Sequence, residues 1–167
     1  MTHVLFPGSF DPVTIGHMDL ITRASRMFDT VTVAVLHNNA KQSTFTLQER
    51  VQMLEIATSA LDNVQIDAFE GLTVRYAQKI GANVLLRGLR SATDLDYEKI
   101  IAATNHSLAP EIETVFLLTD PAYAHVSSSM VKELAGYGAD FSKMVPSSLV
   151  DYLTRRFSNQ YDGKSDQ

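Results

Sequence analysis

Short runs of β-branched and other apolar residues alternate along this chain with longer segments whose apolar residues recur every third or fourth position. That alternation restricts the fold more than any other feature. Thr2 to Phe6, Thr30 to Leu36, Val64 to Phe69, Val84 to Leu86 and Thr114 to Leu118 read as strands. Gly16 to Phe28 reads as a helix, with Ile21, Ala24, Ser25 and Phe28 on one stripe. Thr46 followed by Glu49 is a capping-box pattern heading a helix expected to reach Leu61. Further helices are expected over Leu72 to Ile80, Thr93 to Leu108, Ser127 to Leu134 and Ser147 to Phe157, the second stopping near Pro110 and the third ending by Gly136. Helices that return each strand to the same end make the pairing parallel. The expectation is an α/β, three-layer Rossmann-like domain on a five-stranded parallel sheet with right-handed crossovers.

No repeat, linker or low-complexity block divides the 167 residues, so a single domain is expected over 1–157, followed by a polar tail over 158–167. Lys and Arg number 14 against 19 acidic residues, a net charge of −5, which leaves no basic field for non-specific nucleic-acid binding. Cysteine is absent, which removes disulfides, thiolate chemistry and cysteine-ligated metals. His3, His37, His106 and His125 show no ligand spacing, so no protein metal ligand is expected. Met1 to Pro7 lacks a basic stretch followed by a long apolar one, and no run reaches transmembrane length. A cytoplasmic protein without membrane or nucleic-acid partners is the expectation.

Ligands of parallel sheets bind beyond the carboxyl ends of the strands, and each chemically suggestive cluster here falls at such an end. After the first strand come Gly8-Ser9-Phe10-Asp11-Pro12-Val13-Thr14-Ile15-Gly16-His17. A glycine turn, two hydroxyls and an imidazole at the head of a helix suit a phosphate, because helix amino ends favour anions. The same residues also describe a turn in which Thr14 caps the helix and His17 hydrogen-bonds locally. Arg87 and Arg90 flank Gly88-Leu89 after the buried strand, either offering two guanidinium forks to phosphate or pairing with Asp94 or Asp96. Ser127-Ser128-Ser129 opens a helix, where one serine would serve as an ordinary cap.

Thr14-Ile15-Gly16-His17 together with Val126 to Lys132 resembles the paired signature of the nucleotidyltransferase superfamily. Pro7 to Pro12, Lys41, Arg87-Gly88-Leu89-Arg90, Asp96-Tyr97-Glu98 and Asn105 follow in the order and spacing of the bacterial phosphopantetheine adenylyltransferase family, over about Val4 to Leu153. The resemblance implies transfer of the adenylyl group of ATP to 4′-phosphopantetheine, giving dephospho-coenzyme A and pyrophosphate. It implies His17, Lys41 and Arg90 as catalytic residues, His17 donating to the α-phosphate. It implies ATP contacts from Ser9, Phe10, His17, Gly88, Leu89, Arg90, Glu98, Tyr123, Ala124, His125, Val126, Ser127, Ser128 and Ser129. Ser9, Lys41, Thr73, Arg87 and Asn105 would hold phosphopantetheine.

Magnesium carried on the nucleotide phosphates, a homohexamer, and coenzyme A as feedback inhibitor are implied in the same way. Without the resemblance Lys41 reads as a solvated loop lysine, Glu98 as an exposed helix acid and Asn105 as an exposed asparagine. A related transferase with another phosphorylated acceptor and a nucleotide sensor without catalysis are the competing readings. Ser9 stands where the family usually has threonine, Ile15 where asparagine is common, Phe6 where tyrosine is frequent, and Gly136 where a basic residue is common.

Overall fold

The computed structural model describes residues 1–162. Strands β1 (His3–Gly8), β2 (Thr30–Leu36), β3 (Val64–Phe69), β4 (Val84–Leu89) and β5 (Glu113–Leu118) alternate with helices α1 (Ile15–Met27), α2 (Leu47–Ala57), α3 (Thr73–Ile80) and α4 (Ala92–Leu108). Helices α5 (Ser128–Gly136) and α6 (Val150–Asp162) follow β5. The strands form one five-stranded sheet in the order β3-β2-β1-β4-β5, and every neighbouring pair is parallel. The chain leaves β1 in one direction to build β2 and β3, then crosses back to place β4 and β5 on its other side. The ends of β1 and β4 therefore diverge into a crevice, the switch point at which sheets of this kind bind ligands.

Successive strand residues point to opposite faces, so a sheet covered on both sides draws apolar residues into two cores. Val4, Phe6, Val31, Val33, Val35 and Leu86 pack with side chains of α1, α2, α5 and α6, including Ile21, Leu54, Val131 and Leu153. Leu5, Ala34 and Leu85 pack on the other face with Val74, Tyr76 and Ala77 of α3. Three layers result. Helix α4 departs from this pattern: its one fully buried residue is Glu98, while Leu95, Tyr97, Ile100 and Leu108 are exposed.

The largest departures from the expected element ends are at β4, α2 and α6. Strand β4 continues past Leu86, with Arg87, Gly88 and Leu89 paired to Phe116, Leu117 and Leu118; an arginine and a glycine carry no strand signal of their own, and β5 extends the ladder for them. Helix α2 stops at Ala57 instead of Leu61, where the Thr58 hydroxyl donates to the Leu54 carbonyl at 2.8 Å and closes the last turn. Ser147–Leu149 is a 3₁₀ turn, and α6 begins at Val150 and runs on through Asp162. Ser158 to Asp162 thus belongs to a helix and not to the expected tail, because Phe157 and Tyr161 continue the packed stripe. The rest of that tail lies outside the described residues.

Helix α6 is fastened to α2 by one carboxylate. Glu49 accepts from the Thr46 amide at 2.8 Å, completing the capping box, from the Tyr152 hydroxyl at 3.0 Å and from Arg156 Nε at 2.9 Å. Burial alone would raise its pKa, but Arg156, Thr46 and Tyr152 together hold it from 4.5 down to about 2. A depressed carboxylate contributes stability that is complete above its ordinary pKa and is lost as pH falls through the folded value. Chemical denaturation of wild type and Glu49→Gln across that range should therefore show wild-type stability falling as pH drops from 4.5 toward 2, with a flatter profile in the variant.

Candidate active site

The turn between β1 and α1 is built by competing demands on Phe10. Its backbone takes φ 46°, the left-handed region that a bulky residue avoids, while its ring is 2% exposed and lies edge-on to Phe6 and to His17, with centroids 5.5 and 5.0 Å apart. Glycine suits position 8, because a Cβ there would sit 3.0 Å from the Phe10 ring and press it out of place. Gly88 serves the facing strand in the same way: a Cβ on it would come within 2.5 Å of Leu20 Cδ1. Two glycines thus let strand ends and the first turns of α1 close to van der Waals distance.

Thr14 caps α1 and His17 completes the box. The Thr14 hydroxyl accepts from the His17 amide at 3.3 Å, and the Thr14 amide donates to His17 Nδ1 at 3.0 Å. The second contact fixes the tautomer, because a nitrogen that accepts from an amide carries no proton. The proton of the neutral ring is then on Nε2, which remains available as a donor. Burial, aided by the Arg90 guanidinium, lowers the His17 pKa from 6.5 to about 4. The local reading of the motif therefore holds: His17 bonds its own turn, and doing so leaves the ring proton on its other nitrogen.

A cavity of about 290 Å³ opens at the switch point, lined on one side by Gly8, Phe10, Thr14 and His17 and on the other by Arg87, Gly88, Arg90 and Ser127. Val126 and Ser128 complete the wall, with Thr119 after β5 as a lining residue that no motif signalled. The two motifs are joined directly, since Ser128 Oγ donates to the Pro12 carbonyl at 2.7 Å. Ser127 is the α5 cap, accepting from the Met130 amide at 3.1 Å, and Ser129 is exposed. Ser128 thus spends its proton on the fold, whereas Ser127 only accepts and keeps its O–H free to donate. The anion-binding capacity of this helix start rests on its free amides and on the Ser127 and Ser129 hydroxyls.

The arginines divide differently from the pairing with Asp94 or Asp96. Arg90 does meet Asp94, through Nε at 3.2 Å and through its amide at 2.9 Å. That pair is half exposed on the arginine side, so solvent weakens it and a phosphate can displace it. Arg87 instead forms a two-pronged bond to Glu98, Nε to Oε2 at 2.9 Å and Nη2 to Oε1 at 2.7 Å, with Nη1 3.4 Å from the Pro7 carbonyl. Glu98 is 7% exposed, not the surface acid that its sequence position suggested, and both its oxygens are engaged.

The remaining expected residues do not line the cavity. Ser9 is exposed on the strained turn, and its carbonyl accepts from Arg50 at 3.0 Å. Leu89 is buried as the last residue of β4. Lys41 is exposed in the connection after β2, Thr73 is the first residue of α3, and Asn105 is half-buried two turns beyond Glu98 on α4. Tyr123 ends a 3₁₀ turn close to Gly16, with Ala124 and His125 exposed after it. Gly136 lies apart, at the end of α5 beside Tyr161 and lining a separate cavity with Phe141 and Phe157. Among the described residues no cluster of His, Asp or Glu could by itself hold a metal ion. No helix there is long and apolar enough to cross a membrane.

Residues 5–134 match the model of the cytidylyltransferase-like family. The chain belongs to that family. It is 49% identical over 159 residues to a phosphopantetheine adenylyltransferase of Finegoldia magna, covering 95% of this chain and 98% of the relative. A phosphopantetheine adenylyltransferase of Deinococcus radiodurans is 49% identical over 166 residues, covering 98% and 99%, and one of Gloeobacter violaceus is 50% identical over 154 residues, covering 92% and 96%. In fold, the chain superposes with a TM-score of 0.71 on the crystal structure of a candidate nicotinate-nucleotide adenylyltransferase from Vibrio parahaemolyticus, at 16% identity over 92% of this chain and 99% of that one. The cytidylyltransferase-like match therefore spans both motifs that wall the cavity.

The state of His17 is directly measurable. Its ring resonances, followed by NMR, should titrate near pH 4 in the wild type and move upward in Arg90→Ala, since removing a neighbouring cation eases protonation. A wild-type midpoint near 6.5 would contradict the effect of burial and of Arg90 on the ring.

Proposed function

We propose that this chain is a phosphopantetheine adenylyltransferase, transferring the adenylyl group of ATP to 4′-phosphopantetheine in coenzyme A biosynthesis. A phosphate oxygen of phosphopantetheine forms a bond to the α-phosphorus while the bond from that phosphorus to the bridging oxygen of pyrophosphate breaks in line. Dephospho-coenzyme A and pyrophosphate result. No covalent enzyme intermediate is needed, so the protein's work is to position the reactants and to meet charge on the α-phosphate and the leaving group.

The observation that carries this reading is the His17 ring, held by Thr14 with Nε2 free at the cavity wall. A neutral imidazole with a fixed proton is a hydrogen-bond donor at neutral pH and does not have to gain or lose charge. It suits stabilisation of a pentavalent α-phosphate without proton transfer. Arg90 and the first amides of α5 stand where the β- and γ-phosphates would leave, while Ser9, Lys41 and Arg87 serve the acceptor phosphate. Glu98, with both its oxygens bonded to Arg87 in the geometry seen, acts through that arginine and so bears on the acceptor phosphate. Tyr123, Ala124 and His125 offer an adenine wall, and Thr73 and Asn105 offer contacts along the pantetheine arm.

Magnesium fits this donor set as part of the substrate. Among the described residues no carboxylate lines the cavity, and Glu98, Asp94 and Asp11 are paired to Arg87, Arg90 and Lys132, so the nucleotide phosphates would provide most of the metal's ligands. A cytoplasmic location and inhibition by coenzyme A, which shares the acceptor's pantetheine phosphate, belong to the same reading. Assembly is supported by α4, whose Tyr97 and Ile100 are 66% and 69% exposed while Leu118 at the end of β5 is 72% exposed. A helix of this kind leaves an apolar face for further copies of the chain, of which a homohexamer is the proposed arrangement.

Pyrophosphate release from ATP should require phosphopantetheine and should be weak with other phosphate monoesters. His17→Ala should lower turnover by roughly 10²-fold or more while ATP affinity changes much less. Silence of the wild type with phosphopantetheine would refute the substrate, and unchanged turnover in the variant would refute the role of His17. Ile100→Glu should shift the sedimenting species to a smaller assembly, with an unchanged species arguing against α4 as a contact face.

A further inference from the structure

Two buried charges outside the expected site grip the turn that carries Ser9. Arg50, on α2, is 3% exposed and forms no ion pair among the described residues. Nη1 donates to the Ser9 carbonyl at 3.0 Å, and Nε is buried with no hydrogen-bond partner. A buried guanidinium without an anion is costly to maintain, so its position implies a negative group nearby in the working protein.

Asp11, two residues along, is 6% exposed and serves three donors from two other segments. Oδ2 accepts from the Thr44 amide at 2.9 Å and from Lys132 Nζ at 3.2 Å, and Oδ1 accepts from the Phe45 amide at 2.9 Å. Thr44 and Phe45 close the connection that carries Lys41, and Lys132 lies on α5. Between these anchors sits Phe10 with its left-handed backbone, a conformation that persists only where the surroundings determine it.

From this geometry we infer that Arg50 and Asp11 are positioning residues for the acceptor phosphate, an inference that rests on the substrate reading above. Arg50 sets the Ser9 turn and places an uncompensated positive charge behind it. Asp11 holds the Lys41 connection against the same turn. Together they fix the distance between the Ser9 hydroxyl and the Lys41 segment before substrate arrives, and a phosphate dianion between them supplies the charge that Arg50 lacks. Neither residue touches the α-phosphate, so the effect falls on the acceptor.

Steady-state kinetics with phosphopantetheine and ATP varied separately test this in Arg50→Met, Arg50→Lys, Asp11→Asn and Lys132→Met, alongside thermal unfolding. Asparagine is isosteric with aspartate but turns an NH₂ toward a donor, so it loses one amide bond and the ion pair while keeping the packing. Arg50→Met and Asp11→Asn should each raise KM for phosphopantetheine by roughly tenfold or more, with KM for ATP moving less than about threefold. Arg50→Lys, which keeps the charge and one donor, should recover a large part of the loss, and Lys132→Met should show a smaller rise of the same kind.

Equal increases in both KM values, or lowered unfolding temperatures with both KM values unchanged, would overturn the inference. Should a neutral variant not fold, Arg50→Lys and Lys132→Met decide by the same ratio. A wild type that releases no pyrophosphate with phosphopantetheine would instead overturn the substrate reading, and this inference with it.

Discussion

Everything at the site depends on β1 lying between two parallel neighbours, β2 on one side and β4 on the other. A strand in that place is buried on both faces, so its sequence must be apolar and cannot itself carry chemistry. Function is displaced to its carboxyl end, where the chain leaves the sheet at Gly8. The same arrangement brings the end of β4 opposite, although residues 8 and 87 are far apart in sequence. Gly8 and Gly88 then set how closely the two ends face, the one against the Phe10 ring and the other against Leu20.

On that frame the polar groups are arranged in two ranks. His17, Arg87, Arg90 and the start of α5 reach the cavity, and each is oriented by a partner: Thr14, Glu98, Asp94 and Pro12. Behind the Ser9 turn stand Arg50 and Asp11, and behind α2 stands the Glu49 bond to α6. Preorganisation of this kind is costly to fold, since charged and polar groups must leave water, and it is repaid when the reacting groups need no rearrangement.

The legibility of these ranks in the sequence follows from the range of the interactions. Thr14 to His17 and Thr46 to Glu49 are local patterns, and the structure realises both as capping boxes. Strands β2 and β3 were readable to the residue because their β-branched alternation is intrinsic. β4 was readable only to Leu86, because Arg87, Gly88 and Leu89 are held extended by β5 and not by their own preference.

Burial of Glu98 on an otherwise exposed helix has no local signal, since it depends on an arginine reaching over from β4. Arg50 in an amphipathic helix looks like any solvated base, and Asp11 before a proline looks like any turn residue. Ser128 was legible as part of a serine run but not as the tie to Pro12, which spans most of the chain. The family motifs located residues that line the cavity, His17, Arg87, Arg90 and Ser127 among them, whereas partners brought in from distant segments were visible only in three dimensions.

The two-pronged bond between Arg87 and Glu98 bears on how a site of this kind lets go of its product. The guanidinium is already extended and already neutralised, so a phosphate meeting Arg87 as proposed would exchange one anion for another and gain only the difference between them. Glu98 would stay within reach and compete for Arg87 as that phosphate departs. On this reading the arginine would be a shared ligand, occupied from within or from without, and the internal carboxylate would limit how long a phosphate could dwell there.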